Sequence, residues 1–127
     1  MITRLRTSKL AKERLQTLSA VLRFSNNGVI LRYALSRSLI AEDDIYSDMD
    51  SLVTDTAGFE ITRSTLFGDK EIIYKLLMNA ANIDDEEFFP KLTNMHIERG
   101  LKLLERDYRM AGNKEKFILN YIKKLSD

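Results

Sequence analysis

The feature that most constrains this fold is a switch of hydrophobic period inside the first forty residues. From Ile2 to Thr7 the side chains alternate, with Thr3, Leu5 and Thr7 on one face and Ile2, Arg4 and Arg6 on the other. Past Ser8 the apolar residues recur at helical spacing instead, as Ala11, Leu15, Leu18 and Leu22, with Leu10 and Val21 widening the stripe. Thr7 or Ser8 can cap that helix, and Phe24-Ser25-Asn26-Asn27-Gly28 stops it. A second helix over about 29–39 is apolar almost all round through Val29, Ile30, Leu31, Ala34, Leu35 and Leu39. The chain therefore opens as strand, helix, turn, helix. A lone short strand needs a pairing partner, and so apolar a helix must be covered on more than one side.

Charge is segregated on the same scale. The first forty residues carry Arg4, Arg6, Lys9, Lys12, Arg14, Arg23, Arg32 and Arg37 against Glu13 alone, a net +7, whereas residues 41–61 hold seven carboxylates and no Lys or Arg. The rest sums to +1, so a bulk charge of +1 hides a strongly basic head. Such a head suggests an anionic partner. The alternative is that the acidic segment folds back and neutralises the head within one molecule.

At 127 residues the chain has the size of one domain. Zero cysteine removes disulfides, thiolate metal sites and iron–sulfur ligation, and one His leaves little for zinc. No cofactor-binding loop and no nucleophile–base pair is visible, so no cofactor and no catalysis are expected. There is no apolar run of membrane-spanning length and no signal-peptide pattern, so a cytoplasmic protein without a membrane partner is expected.

Beyond the head, 41–57 reads as a loop with a turn of helix around 46–52, and 59–66 as a short strand or extended connector. Gly68-Asp69 is expected to cap a helix over 70–81 with Ile73, Leu76, Leu77 and Ala80 inward. Asp84-Asp85-Glu86-Glu87 suits a first helical turn better than a Mg²⁺ site, because the helix dipole favours acids there. Leu92, Met95, Ile97, Leu101, Leu103 and Leu104 carry a long helix to about 108, and 114–125 forms a last amphipathic helix with a basic edge. His96 beside Met95 and Ile97 reads as a packed histidine before a catalytic one, even with Glu98 close by. The expected architecture is mainly α: one domain made of a ribbon-helix-helix-like unit (1–40), an acidic connector with a short strand (41–68) and a helical part (69–127).

In a ribbon-helix-helix unit the strand pairs with its copy from a second chain, the ribbon enters the major groove, and the second helix packs at the two-fold axis. That layout puts Leu5 in the core and turns Arg4 and Arg6 toward nucleic acid, while the start of the second helix, near Asn26 to Val29, offers backbone N–H groups to a phosphate. The competing layout is a strand that edges a sheet within its own chain.

Five blocks then resemble, in order, a known family: Arg6-Thr7-Ser8-Lys9, Phe24-Ser25-Asn26-Asn27-Gly28-Val29-Ile30, Arg32-Tyr33-Ala34-Leu35-Ser36-Arg37-Ser38-Leu39, Leu66-Phe67-Gly68-Asp69 and His96-Ile97-Glu98-Arg99-Gly100-Leu101. They are similar to DndE, the small protein of the DNA phosphorothioation system, over residues 6 to about 104. The resemblance implies a non-catalytic accessory subunit that binds duplex DNA, nicked duplex included, works beside other phosphorothioation subunits and assembles as dimers or tetramers. Without cysteine the chain cannot carry sulfur in transit, which leaves gripping DNA or holding partners near it. The residues expected at DNA are Arg4, Arg6, Lys9, Lys12, Arg23, Asn26 and Asn27. The other function considered is a ribbon-helix-helix repressor reading one operator.

Overall fold

A computed structural model describes residues 1–23, 26–47, 52 and 55–126, with side chains as far as 120. The head folds as expected at the local level. Strand β1 (Arg4–Arg6) buries Leu5 and exposes both arginines. Helix α1 (Lys9–Leu22) is capped by Ser8, whose hydroxyl oxygen accepts from the Ala11 N–H, and its buried residues are the four of the stripe: Ala11, Leu15, Leu18 and Leu22. Arg23 takes the left-handed conformation at its end. Helix α2 (Asn27–Leu39) starts at Asn26, whose side-chain oxygen accepts from the Val29 N–H. Phe24 and Ser25 of the expected turn lie outside the described residues, as do 48–51 of the expected turn of helix around 46–52.

Two pairings differ from the ribbon-helix-helix layout. The partner of β1 is not a second copy but β2 (Glu60–Thr62) of the same chain, antiparallel, with Arg4 opposite Thr62, Leu5 opposite Ile61 and Arg6 opposite Glu60. Thr7 continues the ladder, exchanging backbone bonds of 2.8 Å with Phe59 and Gly58. A side chain on Gly58 would lie 2.0 Å from the Ser8 carbonyl oxygen, so only glycine lets the strands close there. Helix α2 likewise finds both of its cover layers at home: α1 and α3 (Arg63–Phe67) on one side, and α5 (Thr93–Ala111) on the other. Ile30, Leu31, Ala34 and Leu35 are all fully buried within the one chain, while Tyr33 and Ser36 stay exposed on the remaining face.

The α2–α5 crossing is the centre of the molecule. A Cβ on Gly100 would sit 1.9 Å from the Ala34 carbonyl oxygen, so the two backbones touch where α5 has no side chain. After β2 the chain turns into α3, where extension to residue 66 was expected, because Thr62 caps a helix through the Thr65 N–H. Helix α4 (Glu71–Leu77) is shorter than expected and buries none of its residues. Ile73, Leu76 and Leu77, expected inward, are 50%, 60% and 59% exposed, and Ile72 is 73% exposed; of the expected inner face only Ala80 is buried. The chain kinks over Glu87–Leu92, where Phe89 is extended (φ −134°, ψ 121°) before Pro90, and this brings Phe88 and Phe89 into the core and leads directly into α5. Gly112, with φ 87°, ends α5, and α6 (Lys114–Ser126) folds back on it through Phe117 against Tyr108. The result is mainly helical with one two-stranded antiparallel sheet among the described residues. No helix among them is long and apolar enough to cross a membrane.

Candidate nucleic-acid interface

Four tethers hold the ribbon. The Glu98 carboxylate, buried in α5, accepts from the Ser8 N–H at 2.9 Å and the Ser8 hydroxyl at 3.0 Å, binding the base of α5 to the start of α1. A carboxylate at a helix N-terminus is favoured by the helix dipole. Burial nevertheless pushes its pKa up, with the Ser8 hydrogen bonds pulling the other way. Asn94 Nδ2 donates to the Arg6 carbonyl at 3.2 Å. Arg63 donates to the Ile2 carbonyl, to both oxygens of Asp85 and to Glu71, and its guanidinium lies over the Phe88 and Phe89 rings. Asp85 is therefore an ion-pair partner, not only a helix-start acid, and Arg63 holds its carboxyl below the usual range. Finally, Asp55 accepts from the Lys9 and Ala57 N–H groups, which lower its pKa.

On that scaffold the expected residues form two adjoining surfaces. Arg4 and Arg6 project together from β1 and share one carboxylate, Glu60, at 3.5 and 3.4 Å. All three are well exposed, and two guanidiniums against one carboxylate leave the ribbon face positive. The acidic segment thus does return to the head, through Asp55 and Glu60. Along α1, Lys9, Lys12 and Gln16 are exposed, with Arg23 just past the helix end. At about 100° per residue Lys9, Lys12 and Gln16 fall within roughly 60° of one another, on a face centred about 120° around the axis from the buried stripe. Lys12 and Arg23 make no ion pair within 4.0 Å among the described residues, and Glu13 flanks them as the one acid of the helix. The stripe is roughly 20 Å long, the rise of fourteen helical residues.

Asn26 and Asn27 sit differently. Asn26 spends its side-chain oxygen on capping α2, and Asn27 is half-buried as the first helical residue. Sequence reasoning missed Glu60, counted only as one of seven acids, and Arg63; the cross-strand register reveals the first and the aromatic pair Phe88-Phe89 the second. The intermingled charges of α5 are ion-paired in part, as Arg14–Glu105, Arg109–Glu105 and Arg37–Asp107, the last at 2.7 Å.

One buried contact has the spacing of a nucleophile–base pair: Ser38 Oγ lies 2.8 Å from His96 Nδ1. Both residues are buried, Ser38 completely, and Arg99 Nε donates to the same hydroxyl at 2.8 Å. Arg99 also donates to the Ser38 and Asp43 carbonyls. The buried Arg99 charge disfavours an imidazolium beside it, so a neutral His96 that accepts the Ser38 hydrogen at Nδ1 is the favoured arrangement. Burial and the Arg99 charge push its pKa down to about 4. The contact ties α2 to α5 where no substrate can reach. No cluster of His and acidic side chains suited to a metal occurs among the described residues.

The family model described as "DNA sulphur modification protein DndE" matches residues 4–112. Among solved structures, the crystal structure of DndE from Escherichia coli B7A, described as involved in DNA phosphorothioation modification, is similar with a TM-score of 0.63 and 18% identity. That similarity covers 80% of this chain and 96% of the other, and at this identity it is a likeness of fold. No curated protein matches. Helix α6 begins beyond the family match. With the ribbon, both helices of the head and the whole of α5 inside the matched residues, the chain belongs to the DndE family of DNA sulphur modification proteins.

Proposed function

We propose that this protein is a non-catalytic DNA-binding subunit of the phosphorothioation machinery, holding duplex DNA, nicked duplex included, on the ribbon and the outer face of α1. The observation that supports this reading most is that Arg4, Arg6, Lys9, Lys12 and Arg23 all stay exposed on the ribbon and along α1, whereas the buried Arg37, Arg63 and Arg99 are consumed by internal partners. Cations disposed along a rigid strand and helix contact phosphates, which supply affinity without reading sequence. The chain has no thiol to carry sulfur, so its part is to grip DNA for partner subunits. The repressor reading loses ground because its two-stranded ribbon across a dimer is replaced by a pairing inside one chain.

Self-association belongs to the same proposal, at α4 rather than α2. Ile72, Ile73, Leu76 and Leu77 form one uncharged aliphatic patch, large for a surface with no partner. A two-fold axis through the middle of these four residues places residue 72 on 77 and 73 on 76, so a second copy meets the patch apolar against apolar. Titration of labelled duplexes of several unrelated sequences, intact and nicked, tests the DNA reading. Similar affinities across sequences, with a steep fall on adding salt, are expected; tight binding to one sequence alone would return the repressor.

A further inference from the structure

Resting on the DNA reading above, we infer that Glu60 is a built-in competitor occupying the position of a DNA phosphate on the ribbon, so that DNA docks by exchanging this carboxylate for a phosphodiester. Cross-strand register puts Glu60 directly opposite Arg6, and its two oxygens divide between the guanidiniums, Oε1 to Arg6 at 3.4 Å and Oε2 to Arg4 at 3.5 Å. A carboxylate bridging two arginines is the geometry a phosphate's two free oxygens would adopt on the same pair. Both contacts are long for charge-assisted hydrogen bonds, which lie near 2.7–2.9 Å, so the carboxylate is held loosely. Its side chain is 39% exposed and the arginines 66% and 51%, so solvent screens the pair and nothing blocks its departure.

Among the described residues, these two contacts are what holds the Glu60 side chain. The β1–β2 pairing is instead maintained by the backbone ladder, buried Leu5 and Ile61, and the Thr7 bonds to Phe59 and Gly58. Removing the charge of Glu60 therefore leaves the ribbon standing. A phosphate entering between the arginines meets Glu60 as a like charge and drives it into solvent. Free cations on α1 make first contact with any polyanion, and the ribbon closes only on a phosphate delivered close enough to displace Glu60. The exchange suppresses weak association with dispersed anions and keeps affinity below what the two arginines alone would give.

The test compares the full-length chain with Glu60→Gln and, as a control for net charge alone, Glu86→Gln, at an exposed acid in another part of the fold. Binding to a fluorescent 20-base-pair duplex is titrated at several salt concentrations, with thermal melting alongside. Glu60→Gln should bind roughly fivefold or more tightly at low salt and steepen the salt dependence by about one ion, while Glu86→Gln changes affinity less than twofold. Equal gains in both variants, or no gain in Glu60→Gln while the wild type binds DNA, overturn the exchange and leave the DNA reading intact. A lower melting temperature for Glu60→Gln with unchanged affinity makes Glu60 a structural bridge and overturns it as well. A wild type that binds no duplex refutes the DNA reading and the exchange with it.

Discussion

The Ser38 hydroxyl joins a charged guanidinium, Arg99, to a buried imidazole, His96. It accepts from Arg99 and donates to His96, so the ring is neutral and its pKa lies near 4, below the ordinary 6.5. Between those values an unfolded chain takes up a proton that the folded chain refuses, so stability falls as the pH drops through that window. Fully expressed, the shift is worth about 3 kcal/mol. Glu98 acts in the opposite sense, since burial raises its pKa and acid favours the folded state there. His96→Asn, which can still accept from Ser38 but does not titrate, should lose less stability between pH 7 and pH 4.5 than the wild type in denaturant melts. That His96 is packed was legible from its apolar neighbours Met95 and Ile97. Its partner was not, because Ser38 lies 58 residues away and no local pattern joins them.

At the scale of elements, what could be read was set by range. The stripe of α1, its Ser8 cap and the outward arginines of β1 follow from periodicity and capping within a few residues, and the structure has them. The partner of β1 depends on a segment 54 to 58 residues further on, whose short alternation in Phe59-Glu60-Ile61-Thr62 suits either an internal or an intermolecular ribbon. In the same way, the apolar girth of α2 announced two cover layers without saying that α5 supplies one. Gly100 is the reason α5 can do so. Gly100→Ala would drive a methyl group into the Ala34 carbonyl, forcing the helices apart at a cost near the upper end of about 1–3 kcal/mol, measurable as a lower denaturation midpoint. The same mutation on the open glycine Gly68 meets no atom within 4 Å and strains only the backbone.

For the whole molecule, an exposed apolar patch on α4 and a basic head are the two surface features on which the proposed self-association and DNA binding rest. Amphipathic spacing turned Ile73, Leu76 and Leu77 of α4 inward, and the structure leaves all three exposed, because helical spacing shows that apolar residues share a face without showing what covers it. Ile73→Asp with Leu76→Asp should therefore keep the helical circular dichroism and shift sedimentation to a monomer, since both positions are already open in the single chain. Leu31→Glu, by contrast, should lose the fold, because a charge on a fully buried α2 position has no partner. The ribbon remains the decisive place. Arg4→Ala with Arg6→Ala leaves Leu5 and the strand pairing in place, so the folded chain should persist without the phosphate contact of the pair. The most direct measurement is the slope of log affinity against log salt for duplex DNA, wild type beside this double variant: the account predicts weaker binding and a slope shallower by about one, the phosphate the pair holds, whereas an unchanged slope would contradict it.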